Sequence, residues 1–393
     1  MTLLVVFIFA LLIGLAIFLL GSANGKSKKD DLMEHRKRPS EEQPQPARTA
    51  AHTQTSPKSE KTENMDQLKS TVLEGLNYIT SNHKAVESKS HMPYELSGLS
   101  REAVDSIRWQ VGEIKGLTST YEMFLMLDDP NVDMSRVAKR ISSDPVLSNK
   151  ILRVANSAYF GSRMAMDSIN HALAVLGLIN IKSILFYNMV SEQSYGNQVQ
   201  INPIYRSLLK HSVLTARCAV YLADAFEGLN KGKLYTLGLL HDIGEFVMSG
   251  VIRKKQIDDD FMLPFGKKEC IISEDRLLGI NHAVIGRIAF EGCGLSEETL
   301  RLIETHHFPS FYSRSCLSMK EEDKKYLAAL FLANQIAKLF VDEEEAEYYA
   351  VQSLPSSYHD LVSLRKVKGI FSDHHVLSEM AKTKILTQSY IAS

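Results

Sequence analysis

The stretch LYTLGLLHDIGEFVMSG, which runs from Leu234 to Gly250, guides the interpretation of the whole chain. Its leucine, isoleucine, phenylalanine and valine residues recur on all sides of a helix, so the pattern predicts one helix that is buried on most sides. His241 and Asp242 lie in the middle of it. An ionised carboxylate inside an apolar helix is costly unless a polar side chain, a helix terminus or a metal ion pairs with it.

Other histidines in the chain support the interpretation of this His-Asp pair as part of a site. A second pair, His359-Asp360, stands in the C-terminal tail with nothing around it to support a site. The first pair is flanked upstream and downstream by His211, His282, His306 and His307. Neutral imidazole is a common ligand of transition metals beside a carboxylate. Each of these histidines falls in a segment of helical character, so they can converge within one bundle.

The order of these histidines resembles the HD superfamily of metal-dependent phosphohydrolases, and more closely its HDOD branch, the HD-related output domains. The resemblance covers roughly residues 112 to 310. It is carried by ISSDPVLSNKILRVANSAYFG (141–161), INHALAVLGLINIKSI (169–184), HSVLTARCA (211–219), GLLHDIGEFV (238–247), LGINHAVIGRIAF (278–290) and ETHHFP (304–309). It implies an all-α fold, an HD-type helical bundle preceded by a smaller helical subdomain.

The resemblance also implies a metal site. In HD phosphohydrolases a first His, the His-Asp pair and a late Asp hold a divalent ion that activates a water molecule for attack on phosphorus. His211, His241 and Asp242 match the first three positions. The late Asp falls on Asn334, within the predicted helix 321–340. An amide oxygen is a neutral and weaker ligand than a carboxylate, so this position departs from the pattern.

Three more histidines match extra ligands of relatives that bind two or more metal ions, the HD-GYP phosphodiesterases of cyclic di-GMP. They are His282, His306 and His307. The segment that follows them, HHFPSFYSRS, lacks the Gly-Tyr-Pro of that branch. Three interpretations of the cluster stay open: polar groups that satisfy one another, a metal ion held for structure or sensing, and a working phosphohydrolase. No catalytic residue is assigned, and the cofactor is either none or a divalent metal ion.

The composition of the chain limits which other classes of protein it can belong to. The chain has 393 residues, of which 45% are hydrophobic, and this is enough for a sizeable core. Its net charge is −1, with 45 basic and 46 acidic residues, so no basic excess points to nucleic acid. The four cysteines have no CxxC spacing, which argues against a zinc ribbon or a redox pair. They are Cys218, Cys270, Cys293 and Cys316.

The N-terminal segment predicts a membrane anchor. Residues 3–20 are apolar and uncharged, and six basic residues follow between Lys26 and Arg38. This order predicts a transmembrane helix over residues 2–20, with the bulk of the chain in the cytoplasm. The alternative is a cleaved signal peptide with Gly21-Ser22-Ala23 as its small-residue site.

Beyond the anchor, the pattern predicts a disordered tether over residues 21–100, an HDOD domain over 105–312 and a C-terminal helical extension over 318–393. The tether holds a short amphipathic helix from Met65 to about Lys89, which packs on the main domain or pairs with another copy. The first helix of the extension is expected to pack on the HD core.

Local signals predict the helices inside the domain. Asp144-Pro145 start one helix and Gly177 breaks another. The turn Asn156–Gly161 is either a helix terminus or a surface that meets a partner or ligand. Glu274 and Asp275 fit the solvated side of a helix. Later helices are expected at 204–227, 233–249, 268–278, 281–291, 296–306 and 322–340.

The sequence therefore predicts a non-catalytic signalling or regulatory module, tethered to the cytoplasmic face of a membrane. It would act through contacts with a signalling protein that the sequence does not name, and self-association stays open. The alternative is an HD-type metal-dependent phosphohydrolase that acts on a nucleotide or cyclic dinucleotide. A third class is a membrane-tethered scaffold.

Overall fold

The computed structural model describes residues 57–81, 92–112, 117–127, 129, 131–160, 165–192, 203–254, 268–341 and 350–392. The predicted anchor over residues 2–20, and the part of the predicted tether before residue 57, lie outside the described residues. Throughout the described part the chain is helical and contains no strand, as the sequence predicts.

Fifteen α-helices are described. They are α1 (Pro57–Ile79), α2 (Arg101–Gly112), α3 (Leu117–Met126), α4 (Met134–Ser142), α5 (Pro145–Ala155), α6 (Ile169–Glu192), α7 (Pro203–Leu222), α8 (Lys231–Leu240), α9 (Ile243–Lys254), α10 (Lys268–Leu278), α11 (His282–Ala289), α12 (Glu297–Glu304), α13 (Glu321–Ala337), α14 (Leu364–Ser372) and α15 (His374–Ala392).

The predicted single helix over residues 234–250 is wrong, because the chain forms two helices there. α8 ends at Leu240, α9 begins at Ile243, and His241 and Asp242 form the turn between them. Every residue of α8 from Leu234 to Leu240 is buried, so the expected burial on most sides is confirmed.

Two glycines explain why the chain turns at this point. A Cβ on Gly238 would lie 2.5 Å from Cα of Ala216 on α7, and a Cβ on Gly244 would collide with the backbone carbonyl of His282 on α11. The backbones of α8 and α9 therefore touch two different neighbouring helices. On one straight helix the two glycines would lie along a single axis. The turn gives α8 and α9 different axes, so each glycine meets a different neighbouring helix.

The first half of the domain follows the local signals. The side chain of Asp144 accepts hydrogen bonds from the backbone N–H groups of Val146 and Leu147, which caps α5. Asn156 donates to the carbonyls of Leu152 and Met166, and its own oxygen accepts from the N–H of Met166. These bonds close the turn after α5, in agreement with its interpretation as a helix terminus.

The break predicted at Gly177 is confirmed as a kink within α6, where this glycine has φ 70° and ψ 162°. Residues 169–190 of α6 are long and apolar enough to cross a membrane, but 67% of the span is buried inside the protein. Ile181, Leu185 and Phe186 have no exposed surface. This is the pattern of a core helix.

The N-terminal helix α1 belongs to the folded body, so the predicted tether over residues 21–100 is too long. Residues 55–393 group as one compact unit. Val72, Leu76 and Ile79 have no exposed surface, and α1 packs against α13 and α14. Of the two arrangements expected for this amphipathic helix, the structure shows packing on the main domain.

The C-terminal extension also packs on the core. Its first helix, α13, lies against α7, and nearly all of its length is buried. Farther along, the ring of Phe371 meets that of Tyr221 on α7 edge to face, with centroids 6.5 Å apart. α1, α13, α14 and α15 thus complete the bundle that surrounds α7.

We expect Gly244→Ala to destabilise the protein by about 3 kcal/mol or more, because the added methyl group forces α9 away from α11. The free energy of unfolding in urea measures this. Gly369→Ala is the matched control: its methyl group would meet nothing within 4 Å in the middle of α14. It should be neutral or stabilise by up to about 1 kcal/mol. An equal loss in both variants would contradict the close-approach argument.

Candidate metal centre

The site is built around the carboxylate of Asp242, in the turn between α8 and α9. One oxygen, Oδ2, lies 2.9 Å from Nε2 of His241 and 3.8 Å from Nε2 of His211 on α7. The other, Oδ1, lies 3.1 Å from Nε2 of His306 and 3.7 Å from Nε2 of His282 at the start of α11. Asp242 therefore faces one pair of imidazoles with each oxygen.

Residues that the sequence singled out meet here from five parts of the chain. His307 joins the cluster through Nε2, which is 2.9 Å from Nε2 of His282. Asn334, on α13, lies close enough to His211 to affect the pKa of its ring. All seven side chains are buried, and the most exposed, His307, has 9% of its surface accessible. The cluster consists of His211, His241, Asp242, His282, His306, His307 and Asn334.

Two overlapping groups in this cluster have the spacing of metal ligands. The first is His211, His241 and Asp242, and the second is Asp242 with His282, His306 and His307. Within each group the ligand atoms all lie within 4.8 Å of one another. Asp242 belongs to both groups, so its carboxylate would be a ligand in either one. The cluster is thus able to hold a metal ion, while the role of each residue as a ligand stays a prediction.

The imidazoles are oriented by their outer nitrogens. Nδ1 of His241 donates to the carbonyl of Gly238 at 2.9 Å, and Nδ1 of His306 donates to the carbonyl of Ile303 at 2.7 Å. A carbonyl only accepts, so the proton of each neutral ring is on Nδ1 and the lone pair of Nε2 faces Asp242. Outer hydrogen bonds of this kind orient metal-binding histidines in general.

These inward-facing nitrogens provide a test of whether a metal ion fits. Nε2 of His241 and Nε2 of His306 are buried and, within the part of the chain that the structure describes, neither has a partner with hydrogen-bond geometry. Both lie about 3 Å from a carboxylate oxygen of Asp242. Lone pairs that point at a buried carboxylate repel it unless a cation lies between them, so these residues fit a metal ion.

The pKa values describe a mainly neutral set of nitrogen donors. Burial lowers the pKa of His211 to about 3 and also lowers the pKa of His306 and, more strongly, of His307. Neutral imidazole with a carboxylate suits zinc, iron or nickel better than magnesium or calcium.

His282 differs from the other histidines because of two acidic neighbours. Its Nδ1 is 2.7 Å from Oε2 of Glu274 on α10 and 3.9 Å from Oε1 of Glu245 on α9. Burial would lower the pKa of His282, but Glu274, Glu245 and Asp242 outweigh it and raise the pKa to about 10. Protonated His282 can then donate from both nitrogens, to Glu274 and to His307.

The expectation that Glu274 and Asp275 face solvent is wrong. Glu274 holds His282 in place, and Asp275 is 1% exposed and accepts from the N–H of Tyr94 and the amide of Asn281. The sequence of α10 alone does not show that the segment around Tyr94 and the start of α11 pack against this side of the helix.

Two further charged residues near the cluster were missed. Glu245 is 3% exposed, and burial together with the charge of Asp242 raises its pKa. An acid inside the apolar run LLHDIGEFV carried the same signal as Asp242 and could have been found. Lys338 is 5% exposed, and burial lowers its pKa to about 8, although the charges of Asp242 and Glu245 act in the opposite direction. Nothing in the sequence around Lys338 indicated this position.

The second His-Asp pair lies elsewhere. Nε2 of His359 is hydrogen-bonded to the carbonyl of Leu354, and Asp360 forms an ion pair with Arg314 at 2.8 Å. The expectation that this pair has no supporting site is therefore in agreement with the structure.

The described part of the chain is an all-helical bundle that gathers histidines and one aspartate in a buried cluster. Residues 118–309 match the HDOD domain family, inside the range 105–312 predicted from the sequence. A crystal structure from Marinobacter aquaeolei VT8, assigned provisionally as a signal transduction protein, has a TM-score of 0.56 at 18% identity. The match covers 83% of this chain and 66% of that one, and it shows the shared fold.

Two other similar proteins have no assigned activity. An HDOD domain protein of unknown function from Geobacter sulfurreducens is 20% identical, with a TM-score of 0.44, and the match covers 84% of this chain and 98% of that one. An uncharacterized protein of Treponema pallidum (strain Nichols) is 25% identical over 264 residues. That match covers 64% of this chain and 47% of the relative, so the chain spans about half the length of the curated protein it matches.

The low pKa of His211 predicts acid sensitivity of the metal-free protein. An unfolded histidine titrates near 6.5, whereas folded His211 titrates near 3. Between these values the unfolded chain binds a proton that the folded chain excludes, so the unfolding free energy falls as the pH falls. The full window corresponds to at most about 5 kcal/mol.

Urea unfolding at several pH values, in the presence of a chelator, measures this fall. His211→Gln cannot take up the proton, so its stability should fall less steeply between pH 6.5 and 4. His375→Gln, at an exposed position on α15, should behave like the wild type. Parallel curves for His211→Gln and the wild type would contradict the assignment.

Proposed function

We propose that this chain is a non-catalytic signalling or regulatory module, in which the buried histidine cluster holds a divalent metal ion for structure or sensing. The module acts through contacts with a signalling protein. The match of residues 118–309 to the HDOD domain family and the donor set of the cluster support this proposal.

The observation that carries the proposal is the burial of every ligand. A phosphohydrolase must bring the phosphorus of its substrate to the water on its metal ion, which requires an open coordination position. Here no candidate ligand exposes more than 9% of its surface. A closed set of ligands is typical of a metal ion that holds a structure together.

The charge of the cluster gives weaker support. Asn334 supplies a neutral amide where the HD pattern has an aspartate, and within the described residues its Oδ1 lacks a hydrogen-bond partner. Glu274 places a second carboxylate next to His282. The loss of one carboxylate therefore weakens a metal site at His211 more than one at His282.

The residues that would hold the ion are His211, His241 and Asp242 on one side and His282, His306 and His307 on the other. The ion would supply coordination bonds between α7, the α8–α9 turn, α11 and the turn after α12. These segments are separate in sequence and come together in the folded bundle. An ion that binds ligands from all of them would therefore stabilise the folded state by mass action.

Metal analysis of the full-length protein, with thermal unfolding before and after chelation, tests this proposal. We expect about one to two equivalents of a transition metal. Chelation should lower the melting temperature, since an ion at 1,000 times its dissociation constant stabilises by about 4 kcal/mol. His241→Ala and Asp242→Ala should lose metal, Asn334→Asp should hold it more tightly, and His375→Ala is the control.

Hydrolysis assays on the same proteins distinguish a non-catalytic module from a phosphohydrolase. We expect little or no hydrolysis of phosphomonoesters or cyclic dinucleotides with zinc, manganese, iron(II) or nickel. Metal-dependent turnover that both His241→Ala and Asp242→Ala abolish would replace the proposal with a phosphohydrolase. Protein without metal would leave only the polar cluster.

The second part of the proposal is a membrane tether, which the residue pattern of the N-terminal segment supports. The uncharged residues 3–20 precede six basic residues, an order that places the following chain in the cytoplasm. A reporter fused after residue 45 should be active only if it is of the cytoplasmic type. Activity of an exported reporter at the same position would reverse the proposed orientation, and a fusion that stays in the soluble fraction would remove the anchor.

A further inference from the structure

Residues 350–361, called the strap below, lie against two segments that carry residues of the histidine cluster. The hydroxyl of Ser310, in the turn that follows the paired histidines, donates to Oε1 of Gln352 at 2.5 Å. The backbone N–H of Gln352 donates to Oε1 of Gln335 on α13 at 2.8 Å. The strap therefore joins two segments that carry cluster residues, the turn after α12 and the face of α13 next to Asn334.

A buried ammonium group fastens the beginning of the strap. Nζ of Lys338 donates to the carbonyl of Ala350 at 3.2 Å and lies 3.5 Å from Oε1 of Gln335. Lys338 follows Asn334 by one helical turn and is 5% exposed. The strap thus covers a charged side chain that is close enough to Asp242 and Glu245 for their charges to affect its pKa.

The far half of the strap is anchored by apolar burial. Leu354 has no exposed surface, and its N–H donates to the carbonyl of Ile79 at the end of α1. Tyr358 is also fully buried, and its hydroxyl donates to the carbonyl of Tyr312 at 3.1 Å. The two halves differ in degree: hydrogen bonds and the partly buried Val351 hold residues 350–352, whereas fully buried side chains hold residues 354–358.

This difference makes one end of the strap easier to release than the other. A hydrogen bond in a protein contributes a net factor of roughly five to ten to an opening equilibrium, because water replaces the lost partner. Removing a buried leucine or tyrosine from the core is far more costly. Local opening at residues 350–352 is therefore possible while the bundle stays folded.

We infer that the strap is a closing element for the histidine cluster, held shut at Ser310, Gln335 and Lys338, and that its release opens the cluster to solvent. This inference concerns the regulation of the site described above. It rests on the proposed function only for its consequence, that opening lets a metal ion or another ligand enter. A signalling partner that binds residues 350–352 would then control the site from outside.

The test measures the accessibility of the histidines with diethyl pyrocarbonate, which acylates imidazole nitrogens. Full-length protein is first treated with a chelator, so the result does not depend on whether metal is bound. Peptide mass spectrometry follows His306 and His307, with the exposed His374 and His375 as references within the same chain. In the wild type we expect His306 and His307 to react on the order of 100 times more slowly than the references.

The release variant is Ser310→Ala combined with Gln335→Ala, which removes the hydrogen bonds to both edges of the strap. It should speed the modification of His306 and His307 by at least about tenfold, with no change at the references. The matched control is Ser363→Ala. It removes the cap of α14, where Ser363 accepts from the N–H of Lys366, in the same extension but away from residues 350–352.

An unchanged rate in the release variant overturns the inference, as does an equal rise in Ser363→Ala, which would show general loosening. If the release variant does not fold, Gln352→Ala removes only the bond to Ser310 and should give a rise of about fivefold. No rise in that variant also overturns the inference. The proposed function fails separately, through the metal content of the wild type.

Discussion

The buried carboxylate of Asp242 determines how the helices of the rest of the domain must be arranged around it. A charge without exposure to water requires partners on all sides, and Asp242 finds an imidazole nitrogen within 4 Å in four directions. No single helix can supply four such partners, because neighbours on one helix share one face. The partners must come from separate helices, and the bundle is the arrangement that brings those helices together.

The close approaches of the backbone follow from this requirement. Gly238 lets α8 touch α7, which carries His211, and Gly244 lets α9 touch the start of α11, which carries His282. The two glycines stand on either side of the His-Asp pair, so the helix that the pattern predicted ends at the pair. The sequence GLLHDIG thus encodes the pair together with the two contacts that complete its surroundings.

This arrangement also shows what could be predicted from the sequence and what could not. Periodic apolar residues, the cap at Asp144 and the break at Gly177 are local signals, and the helices they predict are present. The seven cluster residues could be selected because histidines and one aspartate stand out in apolar surroundings. The turn at the pair was missed, because it depends on how closely α7 and α11 approach.

The predictions for residues around the site were wrong for a similar reason. Glu274 looks like the solvated side of α10 until α11 is placed beside it, and Lys338 looks like an ordinary surface lysine until the strap covers it. Burial of a charged residue is a property of the assembled bundle, and the neighbours that cause it can be distant in sequence, as Tyr94 is from Asp275. Of the residues that were missed, Glu245 alone lay in an apolar run that could have revealed it.

The charges of the assembled cluster point to a link between metal ions and protons. If Asp242, Glu245 and Glu274 are all ionised and Lys338 is protonated, the groups around the imidazoles carry a net charge of −2, which one divalent ion balances. Without the ion, burial at this net charge is unfavourable, and protons must supply the balance. Two groups have raised pKa values here, His282 and Glu245, a direction that favours their protonated forms in the metal-free protein. A metal ion that bound Nε2 of His282 would displace the proton on that nitrogen. Its binding would therefore release protons, and the affinity of the cluster for the ion should rise with pH.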